Sequence, residues 1–154
     1  MTPDRPASAE VLPTPELLVL SRRRAEVYQP GGREVCISIT DSDDDSSPVL
    51  SSAFVAILRL AFSDIDEPSA DPTEVLFTEG HAKQVTDFVR QWTNVDRIVV
   101  HCKTGQSRSA GIALGLCELF LWQTGKLEQR HPFWNPWVRR ELVRVGREAL
   151  SKNG

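Results

Sequence analysis

The chain is poor in cysteine. It has three, Cys36, Cys102 and Cys117, and an odd number without paired spacing argues against a disulfide framework. A reducing, cytoplasmic compartment is the expectation. Residues 1–16 lack the apolar run of a secretory signal and carry proline, aspartate and glutamate instead. The longest apolar run, near residues 110–122, is interrupted by Glu118 and is too short to span a bilayer, so no membrane partner is expected. A basic excess is missing as well: 18 Lys and Arg stand against 21 Asp and Glu, a net charge of -3. General electrostatics therefore predicts no nucleic-acid partner, although a local basic pocket can still hold an anion. No internal repeat is present, and nothing signals an oligomeric state.

What is there suits one globular domain. The chain has 154 residues, 40% hydrophobic and 25% charged, enough to bury a core. Residues 1–16 contain four prolines and read as a flexible tail, leaving 17–150 as the domain. Leu17–Leu20 is expected as a strand, and Ser21–Gln29 as a short helix capped by Ser21. Glu34–Thr40 reads as a strand, and so does Phe54–Phe62. Thr78–Trp92 has its apolar residues at helical spacing, and 96–101 is a strand. Ser107–Trp122 is apolar on nearly every face, the mark of a buried helix. Asn135-Pro136 is a cap followed by proline at the first position of a last helix. Strands alternating with helices imply an α/β domain around a mostly parallel sheet of four to five strands flanked by helices. Sites in such sheets lie at the carboxyl ends of strands.

One such end carries the chemistry. The strand Ile98-Val-Val-His101 runs into Cys102, five residues separate that cysteine from Arg108, and the apolar helix follows. A helix N-terminus and an arginine both lower a thiol pKa. The N–H groups of Lys103, Thr104, Gly105, Gln106, Ser107 and Arg108 can point inward and bind phosphate oxygens. Gly105 allows the backbone to curl. Arg108 can grip two oxygens in a fork and stabilise charge developing on them. Ser109 can hydrogen-bond the thiolate, and His101 is expected to support the loop without touching substrate.

The string His101-Cys102, Gly105, Arg108-Ser109 resembles the signature of the cysteine-dependent protein tyrosine phosphatases. The element order over 17–150 is similar too, and the compact size resembles the dual-specificity-like branch and small bacterial predicted tyrosine phosphatases. Low-molecular-weight phosphatases and arsenate reductases of that type carry their cysteine near the N-terminus and fit badly. The resemblance implies a metal-free, cofactor-free phosphatase working through a phosphocysteine on Cys102, with a phosphorylated protein, phosphotyrosine by default, as its partner. It also implies a general acid on an upstream loop. Asp64 and Asp66 in Ala61-Phe-Ser-Asp-Ile-Asp-Glu-Pro68 are the candidates. Asp64 fits the family's Phe-x-Asp pattern better, at a separation from Cys102 that the Pro-rich insertion lengthens.

Other features receive plainer readings. The run Asp41-Ser-Asp-Asp-Asp45 lacks the glycine and glutamate of a calcium loop, where Ser46 and Ser52 stand, and reads as a solvated loop. Cys36 and Cys117 read as core residues. Phe133, Trp134 and Trp137 read as packing residues, and Arg22-Arg23-Arg24 as a solvated face. Two alternatives stay open: a phosphate-binding module without turnover, and a sulfurtransferase of the rhodanese type.

Overall fold

The structure, a computed structural model, describes residues 14–42 and 46–153. Nine elements follow in chain order: β1 (Glu16–Ser21), α1 (Arg22–Val27), β2 (Glu34–Thr40), β3 (Ala56–Ala61), α2 (Glu79–Gln91), β4 (Arg97–Cys102), α3 (Arg108–Phe120), α4 (Leu127–Arg130) and α5 (Pro136–Asn153). The four strands form one all-parallel sheet in the order β1-β4-β2-β3. The α/β expectation therefore holds, at the lower end of the strand count. Most of the predicted tail lies outside the described residues; Glu16 already belongs to β1.

Alternation along the strands divides the core between the two faces of the sheet. Val35, Ile37 and Ile39 of β2 and Ile98, Val100 and Cys102 of β4 join the larger cluster, with α2, α3 and α5. Cys36 and Val99 face the other way, against Phe54, Leu18 and Tyr28. Helix α3 is buried from Arg108 to Cys117 and packs between the sheet and α5. Close approach is possible because Gly111 has no side chain: a Cβ there would stand 2.8 Å from the Asn135 carbonyl oxygen on the loop leading into α5.

Element ends differ from the sequence expectation for local reasons. Helix α1 stops at Val27 because Tyr28 turns extended and sends its hydroxyl to Glu34 Oε1 at 2.6 Å. Strand β3 begins at Ala56 because Phe54 is committed to a turn, stacked on Tyr28 with ring centroids 6.0 Å apart. Helix α3 ends at Phe120, not Trp122, because Leu121 enters the left-handed region at φ 60°. That turn carries the Trp122 ring back onto Phe120, 5.0 Å away. The four-residue α4 has no periodic signal to reveal it. Among the described residues no helix is long and apolar enough to cross a membrane.

Candidate active site

The loop between β4 and α3 sits at the carboxyl edge of the sheet, with Cys102 as the last strand residue and Arg108 as the first helical one. Cys102 is 1% exposed. Its Sγ lies 3.1 Å from the Ser109 hydroxyl and receives the Gly105 N–H at 3.3 Å. Burial pushes this thiol up, yet the Ser109 hydroxyl and N–H, the Gly105 N–H and the Arg108 charge outweigh it and hold Cys102 below the ordinary thiol range. Gly105 makes the curl possible at φ +73°. A Cβ there would meet the Ser21 nitrogen at 2.5 Å, so the loop rests directly on the β1–α1 junction. The Lys103 carbonyl accepts the Arg22 N–H at 3.2 Å on the same side.

His101 points to the opposite sheet face from Cys102, as strand alternation requires. There it meets Ser38, its cross-strand neighbour on β2, with Nε2 2.6 Å from the hydroxyl. Desolvation pushes its pKa down to about 4, so the ring is neutral near pH 7. Its contacts are with Ser38 and, 3.4 Å from Nδ1, with the Cys102 carbonyl.

Arg108 is buried, and its Nη1 donates to the Phe62 carbonyl at 2.8 Å. The same nitrogen stands 2.8 Å from Asp41 Oδ1, while Nε is buried without a partner. This corrects the reading of Asp41 as solvated loop. Asp41 directly follows β2, and a parallel neighbour of β4 delivers its carboxyl end to the same edge. Residues 43–45 of that acidic run lie outside the described residues.

Of the two upstream aspartates, the structure brings Asp64 to the loop and leaves Asp66 exposed without a bond to it. Asp64 Oδ1 accepts the Ser107 hydroxyl at 2.7 Å and the Asn135 side-chain amide at 3.0 Å. Asn135 also donates to the Ile65 carbonyl at 3.0 Å, takes the Val138 N–H at 3.0 Å as the cap of α5, and sends its own N–H to the Ser107 carbonyl at 3.0 Å. It is 3% exposed and ties together the aspartate loop, the cysteine loop and α5. The sequence shows its capping role but not the other two. His131, on the same connection, bonds the Gly105 backbone; burial nevertheless lowers its pKa.

The remaining loop residues differ in what they meet. Lys103, Thr104 and Gln106 are exposed, and the Gln106 N–H turns to Thr104 Oγ1 at 3.3 Å. Trp137 packs on the core and donates to the Phe77 carbonyl at 3.0 Å, and Trp134 lies under Arg139. Phe133 is 75% exposed and is not the packing residue expected. Arg22 is less solvated than predicted, donating to the Ser46 carbonyl at 2.7 Å.

No protein-family model and no curated protein matches the chain in sequence. Solved structures do match in shape. Human DUSP28 superposes with a TM-score of 0.54 at 21% identity, covering 91% of this chain and 96% of its own. The fold is that of the dual-specificity phosphatases. The human tyrosine phosphatase-like serine/threonine/tyrosine-interacting protein gives 0.54 at 18% identity over 89% of this chain and 92% of that one. PTPMT1 in complex with PI(5)P gives 0.52 at 19%, over 90% and 95%.

Proposed function

We propose that this protein is a phosphomonoester hydrolase, a protein tyrosine or dual-specificity phosphatase that works through a phosphocysteine on Cys102. The observation that carries the reading is a thiol 1% exposed whose pKa is nonetheless lowered, at the junction of a strand and a helix N-terminus that holds a buried arginine.

In the first step the Cys102 thiolate attacks phosphorus in line and the P–O bond to the leaving group breaks. Asp64 gives its proton to the departing oxygen. Arg108 and the loop amides hold the equatorial oxygens, apart from the Gly105 N–H, which is turned to Cys102 Sγ, and the Gln106 N–H, which is turned to Thr104 Oγ1. In the second step water attacks phosphorus, Asp64 takes a proton from it, and the P–S bond breaks. Inorganic phosphate leaves, and the thiolate returns to the Ser109 hydroxyl. Asn135 and Ser107 hold Asp64 at the rim of the loop, which is why Asp64 and not Asp66 is assigned as the acid. The charge stabilisation comes from the arginine and the amides, so the reading calls for no metal or cofactor. A phosphorylated protein is the substrate assigned by default, and three free cysteines suit a reducing, cytoplasmic setting.

Hydrolysis of para-nitrophenyl phosphate with EDTA present is the test. Turnover that disappears in Cys102→Ser supports the reading; thiosulfate sulfurtransferase activity in its place would sink it. A second reading, a phosphate-binding module, draws on the neighbour named as a phosphatase-like interacting protein. It predicts Arg108-dependent binding of a phosphotyrosine peptide without turnover.

A further inference from the structure

The chemistry proposed for Cys102 depends on which edge of the Arg108 guanidinium meets an oxyanion. A guanidinium offers two bidentate edges, Nε with Nη2 and Nη1 with Nη2. Here Nη1 is engaged twice, by the Phe62 carbonyl at 2.8 Å and by the Asp41 carboxylate at 2.8 Å. Those two anchors come from the carboxyl ends of the adjacent strands β3 and β2. Nε has no protein partner although it is buried. A buried donor on a charged group is costly to leave unpaired. The free Nε edge is thus the one held open for a ligand, and the Nη1 side is the one the protein has closed.

We propose that Asp41 is a positioning residue for the phosphatase reaction. Its carboxylate fixes Nη1 so that the Nε–Nη2 edge is presented to a tetrahedral oxyanion above Cys102. The proposal rests on the phosphatase reading, since it assigns that edge to the phosphoryl oxygens. Phe62 supplies a neutral anchor through the backbone; Asp41 supplies the charged one. Asp41 is half exposed but its partner Arg108 is only 5% exposed, so removing the carboxylate also takes an anchor from a buried charge, a stability cost that has to be separated from the loss of orientation. Arg22 and Lys103 line a cavity of about 110 Å³ together with Asp41. Two cationic side chains therefore stand beside the carboxylate. The opposite role is also physically defined: an aspartate on the phosphate-binding arginine could compete with substrate. The two roles predict opposite signs.

The test compares wild type, Asp41→Asn and Asp41→Glu in calorimetric binding of tungstate and in kcat and KM for para-nitrophenyl phosphate, with thermal melts as the check on folding. Loosening a catalytic group by about an ångström costs up to about a hundredfold. Asp41→Asn is expected to weaken tungstate and to lower kcat by about ten- to a hundredfold with little change in KM, because the arginine contact is strongest in the transition state. Asp41→Glu is expected to recover most of the loss. Should Asp41→Asn not fold, Asp41→Ser is read in the same way. Tighter tungstate binding in Asp41→Asn would make Asp41 a competitor and overturn the proposal, and so would binding and kcat equal to wild type. A wild type that binds tungstate without turnover would end the hydrolase reading alone. The sign of the Asp41→Asn effect on tungstate would then still support or overturn the positioning role.

Discussion

Three buried thiols share this small domain, and they behave differently. Cys36 lies in the middle of β2 and Cys117 inside α3, and burial pushes them up to about 12 and about 11 respectively. Cys102 is as buried as either, yet it is held below the ordinary thiol range. The sheet interior around Cys36 offers hydrocarbon, and the only opposing influence there is the charge of Arg59. The loop around Cys102 offers a hydroxyl, two N–H groups and a guanidinium. Burial in itself therefore says little about a thiol. The dipoles that accompany it set the direction, and a strand-to-helix junction is where the backbone can supply them.

The sharpest way to break that contrast is Cys102→Ser. An alkoxide is far harder to form than a thiolate, so phosphatase turnover is expected to fall to background while Cys36 and Cys117 stay in place. Residual turnover would mean that another group is the nucleophile. Next in size is Asp64→Asn. It leaves every contact to Cys102 Sγ intact, so the rate of Cys102 alkylation at pH 6–7 should match wild type. Hydrolysis of an alkyl or simple phenyl phosphate should fall by about 10² to 10⁴, the usual share of a general acid. The loss should shrink for a leaving group acidic enough to depart without a proton. An equal loss on every substrate would place Asp64 in a structural role only.

Those two residues were not equally visible in the sequence. Cys102, Gly105, Arg108 and Ser109 are legible because one continuous stretch encodes the strand, the curl and the helix start, and local spacing fixes their geometry. Asp64 is partly legible: its place after a strand is visible, but Asp66 has the same credentials. Only the bonds from Ser107 and Asn135, 43 and 71 residues away, separate them. Asp41 and Asn135 look like no more than a loop acid and a helix cap in the sequence because each meets the site through the fold. Strand order β1-β4-β2-β3 puts the ends of β2 and β3 on the same edge as Cys102, and no periodicity in the chain announces that order.

His101 and Cys102 are neighbours in the chain and alike in burial, so they sharpen the comparison within a single dipeptide. His101 has no dipoles arranged to favour its charged form strongly enough, and desolvation brings it from the ordinary 6.5 to about 4. The sign follows from linkage. Between those values the unfolded chain takes up a proton that the folded chain refuses, so stability is full above about pH 6.5 and falls as pH drops towards 4. The loss from this one group is about 3 kcal/mol. Denaturant unfolding of wild type and His101→Gln between pH 7 and 4.5 would show it as a steeper acid slope in wild type. Parallel slopes would mean that His101 titrates normally and that burial does not govern it.

The smallest expected effects belong to the other two thiols, and they complete the contrast. Cys36→Ala and Cys117→Ala should leave turnover unchanged and cost about 1 kcal/mol of stability each, an ordinary price for trimming a core side chain. In folded protein at pH 8, iodoacetamide should label Cys102 and leave both of these untouched, because neither forms thiolate there. Cys117 is the more exacting of the two. Its Sγ is 3.8 Å from the Gln123 carbonyl, to which it donates, and a donor bond to a carbonyl stabilises the thiol over the thiolate. Mass spectrometry of the alkylated chain reads all three at once. Labelling of Cys117 at a rate near that of Cys102 would show that a helix interior alone can activate a thiol, and the loop would lose its special standing.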